Sequence, residues 1–275
     1  GFLPDQIENL SLWLKFNNKM ISDGNADGST TYYAPDYHYS PDWPYPALGV
    51  GALMEDQDRI AAWNPFGTTN IQAIQATGAD KPKWDSAAAD AGAAHFPSGK
   101  YFNLKVFGGS ATSVTFDANT DFTIVIRFKP SATAGPTLLG NASEEFIRIQ
   151  SSTVFRIRED ADGGTPHNTN FTVGSGSLAT DKYLTLIIVR SDTSTGNVNL
   201  YVRGADSGYF DGTATGTQWG STDQLPEEVE ISNIGASADD TGNFTGHIKD
   251  VIMYDGTAVT SAQREQLFDY IEAQT

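Results

Sequence analysis

The sequence predicts an all-β chain that folds as an antiparallel β-sandwich and is closed by a short C-terminal helix. Residues 10–16 and 122–129 alternate apolar and polar side chains, which is the period of two expected of a half-buried strand. Further short apolar segments follow, and turns rich in Gly, Asp and Asn separate them without an intervening helical pattern. A helical period begins only after Thr260, close to the end of the chain.

The second half of the chain supplies most of the predicted strands. Residues 146–149 and 154–158 flank Ser151 and Ser152, and this arrangement predicts a hairpin. Residues 183–190 are almost continuously apolar, which is typical of a central strand. The remaining strands are predicted at 197–203, 229–234 and 247–254. Strands at this spacing indicate an antiparallel sandwich or barrel.

The C-terminal helix has a recognisable start. Thr260 and Gln263 have the spacing of a capping box, in which each side chain bonds the backbone N–H of the other residue. Apolar side chains then fall on one helical face: Leu267, Tyr270 and Ile271. A weaker helical turn is predicted at 71–76.

No linker composition divides the chain, so we expect one domain over residues 1–275 with an insertion at about 17–59. The centre of this insertion, residues 31–46, contains four prolines and six aromatic residues, which excludes a regular strand or helix. Connections of this length are usually functional or ordered loops.

Composition excludes several classes of function. The formal net charge of −17 repels phosphate backbones, so we expect no nucleic-acid partner. The absence of Cys excludes disulfides and thiolate metal sites. The apolar runs are too short for a membrane helix, and no signal peptide is visible at the N-terminus.

Five segments stand in an order that is typical of one superfamily. They read IENLSLWLKF at 7–16, IAAWNPFG at 60–67, AAHFPSGKYFNL at 93–104, DFTIVIRFKP at 121–130 and GHIKDVIMY at 246–254, ahead of the helix. This order resembles the concanavalin A-like lectin/glucanase superfamily, and within it the laminin-G-like modules of bacterial and phage proteins. The resemblance implies a jelly-roll β-sandwich. It leaves function open, because this fold hosts lectins, hydrolases, lyases and structural modules.

The sequence offers little for catalysis, and we expect a protein that is not an enzyme. Glucanases of this fold carry alternating acids on one strand, and the nearest match, residues 227–230 (EEVE), lacks that pattern and is interpreted as surface charge. Arg156 and Arg158 alternate on one strand, but nothing in the sequence places them beside a His. The alternative is a glycoside hydrolase or polysaccharide lyase of the same fold.

Calcium is the candidate cofactor. Asp239, Asp240 and Asn243 form a loop cluster of oxygen ligands, and residues 159–162 form another. Related modules often carry a calcium ion at the rim of the sandwich, and the resemblance implies the same here. The alternative is that these are turn-forming residues. The four histidines, at positions 38, 95, 167 and 247, lack metal-ligand spacing, so zinc is not expected.

The predicted ligand-binding residues lie in the insertion. They are Tyr32, Tyr33, Asp36, Tyr37, Tyr39, Trp43 and Tyr45. Aromatic faces suit sugar C–H surfaces, and a nearby carboxylate suits hydroxyls. Two alternatives stay open: the rings contact neighbouring subunits, or they only pack the loop onto the sandwich.

These observations favour a non-catalytic, lectin-like module that binds glycans or neighbouring subunits. The resemblance implies a phage virion surface protein, either a head decoration or a fibre, with a virion-surface or extracellular location. It also allows homo-oligomers and, as an alternative, a secreted bacterial carbohydrate-binding protein.

Overall fold

The structure is a computed structural model, and the part of the chain that it describes comprises residues 1–15, 20–22, 32–33, 56–66, 69–87, 89–106, 109–141, 145–159, 167–172, 178, 180–191, 197–204, 214–215, 227–237 and 242–274. These ranges contain short 3-10 turns at Pro4–Gln6 and Gly78–Asp80 and one helix, α1 (Ser261–Glu272). None of the helices in these ranges is long and apolar enough to cross a membrane.

The strands of the described ranges are β1 (Leu10–Lys15), β2 (Met20–Ser22), β3 (Tyr32–Tyr33), β4 (Ile60–Trp63), β5 (Ile71–Ile74), β6 (Lys83–Trp84), β7 (Ala94–Phe96), β8 (Phe102–Val106), β9 (Val114–Phe116), β10 (Phe122–Pro130), β11 (Thr137–Gly140), β12 (Phe146–Ser151), β13 (Val154–Glu159), β14 (His167–Thr172), β15 (Leu184–Ser191), β16 (Asn197–Gly204), β17 (Ala214–Thr215), β18 (Val229–Ile231), β19 (Asn233–Ile234) and β20 (Gly246–Asp255). All their pairings are antiparallel. The predicted all-β fold class is confirmed.

Sheet A contains eight strands in the order β17-β16-β15-β10-β20-β7-β6, with β1 also paired to β20. Strand β20 is central: one of its edges pairs with β10 over the full length, and the other pairs with β7 at one end and β1 at the other. A strand that is paired on both edges and covered on both faces has no exposed positions to fill with polar residues. Accordingly, β10, β15 and β20 are buried over almost their whole length, including polar positions of β10.

Sheet B contains ten strands in the order β14-β13-β12-β11-β19-β8-β5-β4-β2-β3. Strands β12 and β13 form the hairpin predicted from the sequence. A third, two-stranded sheet joins β9 to β18.

One large apolar core fills the space between sheets A and B. Its aromatic residues contact one another edge to face, as in the pairs Phe96–Phe102 and Phe128–Phe155, with ring centres 5.8 and 6.3 Å apart. Phe96 and Phe128 come from sheet A, whereas Phe102 and Phe155 come from sheet B. The two sheets therefore form a sandwich around a shared core.

A second apolar cluster lies on the outer face of sheet A, beneath α1. Leu267, Phe268 and Ile271 of the helix are buried there with Trp13 and Ile252 of the sheet. The capping box predicted at the start of this helix is present, with Thr260 accepting from the Gln263 backbone and Gln263 bonding the Thr260 backbone. The helix thus covers one half of the outer face.

Two elements differ from the sequence prediction. The helical turn predicted at 71–76 is wrong, because Ile71–Ile74 forms strand β5 and pairs with β4 and β8 on its two edges. Pairing on both edges supplies more backbone hydrogen bonds than one helical turn would. The single strand predicted at 229–234 is divided at Ser232 between the two-stranded sheet and sheet B.

Part of the insertion also extends sheet B. Tyr32 and Tyr33 pair with Ser22 and Ile21, so these two residues of the 31–46 segment form a short strand, against expectation. The prolines begin only at position 35, downstream of this pairing.

Candidate functional site

The outer face of sheet B carries a compact group of cationic and amide side chains, which we call the arginine face. Strands β12, β13 and β14 contribute two cross-strand rows: Phe146–Arg158–Asn168 and Arg148–Arg156–Asn170. Successive side chains of a strand alternate between faces, so the two rows lie side by side on one surface.

Burial of the alternate residues fixes which way these side chains point. On β13, Phe155 and Ile157 are in the sandwich core, and on β14 Phe171 is buried there as well. Their neighbours Arg156, Arg158, Asn168 and Asn170 must therefore face outwards. The outward position of the arginines follows directly from the period of two in the sequence.

Each of the two β13 arginines is oriented by an asparagine. Arg156 Nε donates to Asn170 Oδ1 at 2.8 Å, and Arg158 Nε donates to Asn168 Oδ1 at 2.9 Å. Each bond uses one of the five N–H donors of a guanidinium and fixes the plane of the remaining fork.

The ring of Phe146 lies against the guanidinium groups of two of these arginines. Arg148 Cζ lies 3.6 Å and Arg158 Cζ lies 4.7 Å from the ring centre, and Phe146 itself is buried. A guanidinium over an aromatic face gains electrostatic and dispersion energy, and it loses rotational freedom. The arginines are thus held in place before any ligand arrives.

The arginine face contrasts with the charge of the whole chain. Three of the 17 basic residues of a protein with net charge −17 lie within two adjacent rows of one sheet. Adjacent guanidinium groups attract anions locally even where the overall field is negative. Chemically, the face suits carboxylates, which accept paired N–H bonds, and hydroxyls, which bond amides.

A second polar group lies at one end of the sandwich and consists of buried acids. Asn141 Nδ2 donates to Glu145 Oε2 at 2.5 Å and to Glu230 Oε2 at 3.0 Å, and the Glu230 backbone N–H donates to Glu145 Oε1 at 2.8 Å. Glu159 lies nearby and is fully buried, with Oε2 accepting from the Glu227 backbone at 3.1 Å. Burial raises the pKa of Glu159 to about 8, and the carboxylates of Glu227 and Glu145 add to the effect.

These acids connect parts of the fold. Glu145 Oε1 accepts from the Glu230 backbone and so joins β18 to the segment between β11 and β12, whereas Oε2 accepts from Asn141 within that segment. The residue is only 2% exposed, so its carboxyl does not face an open cleft. The expectation that residues 227–230 carry only surface charge is therefore incomplete, because Glu230 belongs to this internal network.

A family model matches this chain, and its fold agrees with the observed sandwich. The laminin-G-type model of the concanavalin A-like lectin/glucanases superfamily matches residues 107–263, more than half of the chain. The chain belongs to the concanavalin A-like lectin/glucanase superfamily. The matched range includes all three strands of the arginine face and the cap of α1. No curated protein sequence matches the chain.

Several solved structures align with the chain at low identity. A CBM40 domain of the Ruminococcus gnavus IT-sialidase bound to α2,3-sialyllactose aligns with a TM-score of 0.38 and 14% identity, covering 53% of this chain and 80% of that one. A GH54 α-L-arabinofuranosidase soaked with a cyclic sulfate inhibitor gives 0.47 and 12%, covering 79% of this chain and 51% of its own. A SAP-like pentraxin from Limulus polyphemus gives 0.33 and 11%, covering 55% and 72%. At such low identity, none of these transfers a ligand or an activity to this chain.

The residues predicted to bind ligand lie mostly outside the described ranges. Tyr32 and Tyr33 are on β3, at the edge of sheet B, whereas Asp36, Tyr37, Tyr39, Trp43 and Tyr45 fall in residues that the structure does not describe. Their role in binding stays a prediction.

The predicted calcium ligands are divided in the same way. Asp239 and Asp240 lie outside the described ranges. The backbone of Asn243 forms an isolated parallel bridge with Thr137 at the rim of sheet B. Calcium therefore stays a prediction.

The sequence analysis does not predict the arginine face as a unit. It predicts that Arg156 and Arg158 alternate on one strand, and it does not group Arg148, Asn168 and Asn170 with them. The signal was present in the predicted 146–158 hairpin, whose register brings Arg148 opposite Arg156. The pairing with β14 was not predictable, because no strand was expected there.

Proposed function

We propose that this chain is a non-catalytic, lectin-like module that binds a glycan on the arginine face. The observation that carries the proposal is the pair of rows Phe146–Arg158–Asn168 and Arg148–Arg156–Asn170. They combine oriented guanidinium groups with amides on one sheet surface, where a flat ligand has access to both. Pre-oriented donors bind with a smaller loss of side-chain entropy than mobile ones.

The expected ligand is a glycan that carries carboxylate groups, such as a uronic or sialic acid. The fork of Arg156 is turned by Asn170 into a fixed plane, and a planar fork matches a carboxylate through two parallel N–H bonds. Asn168 and Asn170 border the arginines on the edge strand, and their amides suit sugar hydroxyls. A neutral glycan offers no carboxylate to the fork of Arg156.

The proposal that the chain is not an enzyme rests on how its buried acids are used. Hydrolysis of a glycosidic bond requires two carboxyl groups that face the bond from opposite sides. Glu145 is bonded through both oxygens within the fold, and Glu159 is fully buried. The carboxyl groups of both residues are therefore enclosed within the fold and do not face a glycosidic bond at the surface.

The decisive experiment is calorimetric titration of the chain with acidic and matched neutral oligosaccharides. We expect binding of the acidic glycan that is weakened at least about tenfold in Arg156→Gln, the loss expected for a charge-assisted hydrogen bond. The matched control is Arg59→Gln, since Arg59 is exposed and lies away from β12–β14. Equal affinity in both variants would contradict the proposal, and release of reducing sugar from any substrate would contradict the non-catalytic role.

A second candidate function is contact with neighbouring subunits on a virion or cell surface. It is favoured by the six aromatic residues in positions 31–46, since Tyr and Trp are enriched at protein interfaces. Light scattering distinguishes the two candidates. A stable oligomer that dissociates in Trp43→Ala, together with no glycan binding, would favour the subunit contact over the arginine face.

A further inference from the structure

Two histidines that are far apart in the sequence lie side by side in sheet A. His95 on β7 is the direct cross-strand partner of His247 on β20. Their rings are stacked, with centres 4.4 Å apart and planes within 9° of parallel. Both side chains lie on the outer face of sheet A, because their neighbours Phe96 and Ile248 are in the core.

A carboxylate completes the group. Asp85 follows β6, and its Oδ2 lies 2.8 Å from His247 Nε2. The other oxygen accepts from the Ala87 backbone N–H at 2.8 Å, and the Asp85 carbonyl accepts from Gly92 at 2.8 Å. The backbone around Asp85 therefore holds its carboxylate beside the histidines.

We propose that Asp85, His95 and His247 bind one divalent transition-metal ion, of which zinc is the reference case. One ligand atom from each residue lies within 4.8 Å of the other two. Two imidazoles and one carboxylate are a common ligand set for zinc, with a fourth position left for water or another ligand. Calcium fits poorly, because it prefers oxygen ligands throughout.

Binding requires the ligand atoms to come closer together and the two rings to turn. Two nitrogens bound to a tetrahedral zinc ion lie about 3.3 Å apart, since each Zn–N bond is about 2.0 Å long. The rings are nearly parallel, so they must tilt towards each other by rotation about the Cβ–Cγ bond, which is a soft torsion in His.

An independent observation concerns the other ring nitrogens. Nδ1 of His95 and Nδ1 of His247 are both buried, and neither has a hydrogen-bond partner among the described residues. A buried polar atom without a partner is costly in a protein interior. Nδ1 is a possible ligand atom of each histidine, and an ion bound there would supply the partner that the described polypeptide does not.

A second carboxylate lies beside the site and is paired with a lysine. Asp90 Oδ2 lies 3.8 Å from His247 Nε2 and adds a second carboxylate close to the site. Its oxygens also bond Lys129 and the hydroxyl of Tyr183, which fixes its position. Asp90 is therefore placed to orient the site from outside the set of direct ligands.

The spacing of the histidines in the sequence does not predict this site. The spacing rules for metal ligands apply to residues on one helix or one loop. Here the ligands come from two strands and the loop after a third, so only the pairing of β7 with β20 brings them together. The expectation that zinc has no site is therefore replaced by this proposal.

The test is a zinc titration of tag-free protein freed of metal by a chelator, followed by calorimetry with calcium as a comparison. We expect one zinc ion per chain and no comparable calcium binding. His95→Gln and Asp85→Asn should each weaken zinc at least about tenfold, because even changes around a metal site cost 10–100-fold. The matched control is His167→Gln, whose backbone is on β14 in the other sheet.

Two further measurements keep the test decisive. Circular dichroism identifies any variant that does not fold, and Asp85→Asn keeps the shape of the side chain for the case in which His95→Gln fails. Cobalt should replace zinc and give visible absorption bands of a four- or five-coordinate site that disappear in His247→Gln. No zinc uptake by the native chain, or equal affinity in the site and control variants, would overturn the proposal.

Discussion

Arg156 lies directly opposite Asn170 in the β13–β14 pair, and its Nε–H donates to the Asn170 Oδ1 at 2.8 Å. This bond connects an inner strand of sheet B to its edge strand. It also decides the direction in which the guanidinium fork points, so Asn170 is a positioning residue for any anion that Arg156 binds.

Loss of Asn170 should weaken glycan binding without unfolding the protein. We expect Asn170→Ala to lower the affinity for an acidic oligosaccharide about three- to tenfold, because the fork of Arg156 becomes mobile and one neutral hydrogen bond is lost. The free energy of unfolding should change little, since the pair is exposed. Calorimetry measures the first quantity and urea denaturation the second. Asn199→Ala, on β16 in the other sheet, is the control; equal affinities in the two variants would contradict the role given to Asn170.

Glu159 should make the protein less stable as pH rises. Its pKa is about 8 in the folded state against an ordinary 4.5, because burial and the carboxylates of Glu145 and Glu227 outweigh the attraction of Arg190. Between these values the folded state keeps a proton that the unfolded state has lost, so each pH unit favours unfolding by at most about 1.4 kcal/mol. This loss should occur from about pH 4.5 to 8 and be absent below that window.

Replacement of Glu159 by the neutral isostere glutamine tests whether this residue lowers stability as the pH rises. Relative to the native chain, Glu159→Gln should gain stability steadily from about pH 5 to pH 8 in urea denaturation curves. Glu8→Gln changes an exposed residue, and its stability should keep a constant difference from that of the native chain over the same pH range. If the difference in unfolding free energy between Glu159→Gln and the native chain did not change with pH, Glu159 would be ionised in the folded protein.

The cap of α1 should contribute measurably to stability. Thr260→Ala removes the acceptor for the Gln263 backbone N–H, and such losses cost about 1 kcal/mol. Thr260→Ser keeps the hydroxyl and should stay close to the native value. Thermal unfolding followed by circular dichroism measures both. Identical melting temperatures for the two variants would mean that packing against sheet A alone fixes the start of the helix.

Gly246 should tolerate no side chain. Its φ is +137°, and a Cβ there would lie 2.1 Å from the carbonyl oxygen of Lys129 in the paired strand β10. Gly246→Ala should cost about 3 kcal/mol or more, since both the backbone angle and the contact are unfavourable. Gly135 also has a positive φ but open space around it, so Gly135→Ala should cost only about 1–2 kcal/mol. Equal losses in urea denaturation would assign the whole effect to the backbone angle.

The sequence predicts those parts of the fold in which local chemistry and tertiary structure agree. The alternation in residues 122–129 and the Thr260–Gln263 spacing each require only neighbouring residues, and both predictions are confirmed. Ile71–Ile74 was predicted wrongly because a four-residue apolar segment suits a helical turn and a strand equally well. Its two strand partners decide the outcome, and they lie elsewhere in the chain.

In the candidate sites, too, the sequence predicts what neighbouring residues determine and does not predict what distant strands determine. Arg156 and Arg158 were visible as an alternating pair, because one strand is enough to reveal them. Asn170 and the pair His95–His247 were not, since each depends on the register between strands that are distant in sequence. Register is determined by the packing of the whole sheet, and a single sequence gives little access to it.

The central position of β20 has a consequence for synthesis of the protein. Strands β1, β7 and β10 all pair with Gly246–Asp255, which leaves the ribosome long after them. At about 5–20 residues per second, β1 waits roughly 10–50 s for its partner. During that time the nascent chain exposes unpaired, apolar strand edges, and chaperones have their best opportunity to act. The yield of correctly folded protein should therefore depend on the speed of translation as much as on the stability of the finished sandwich.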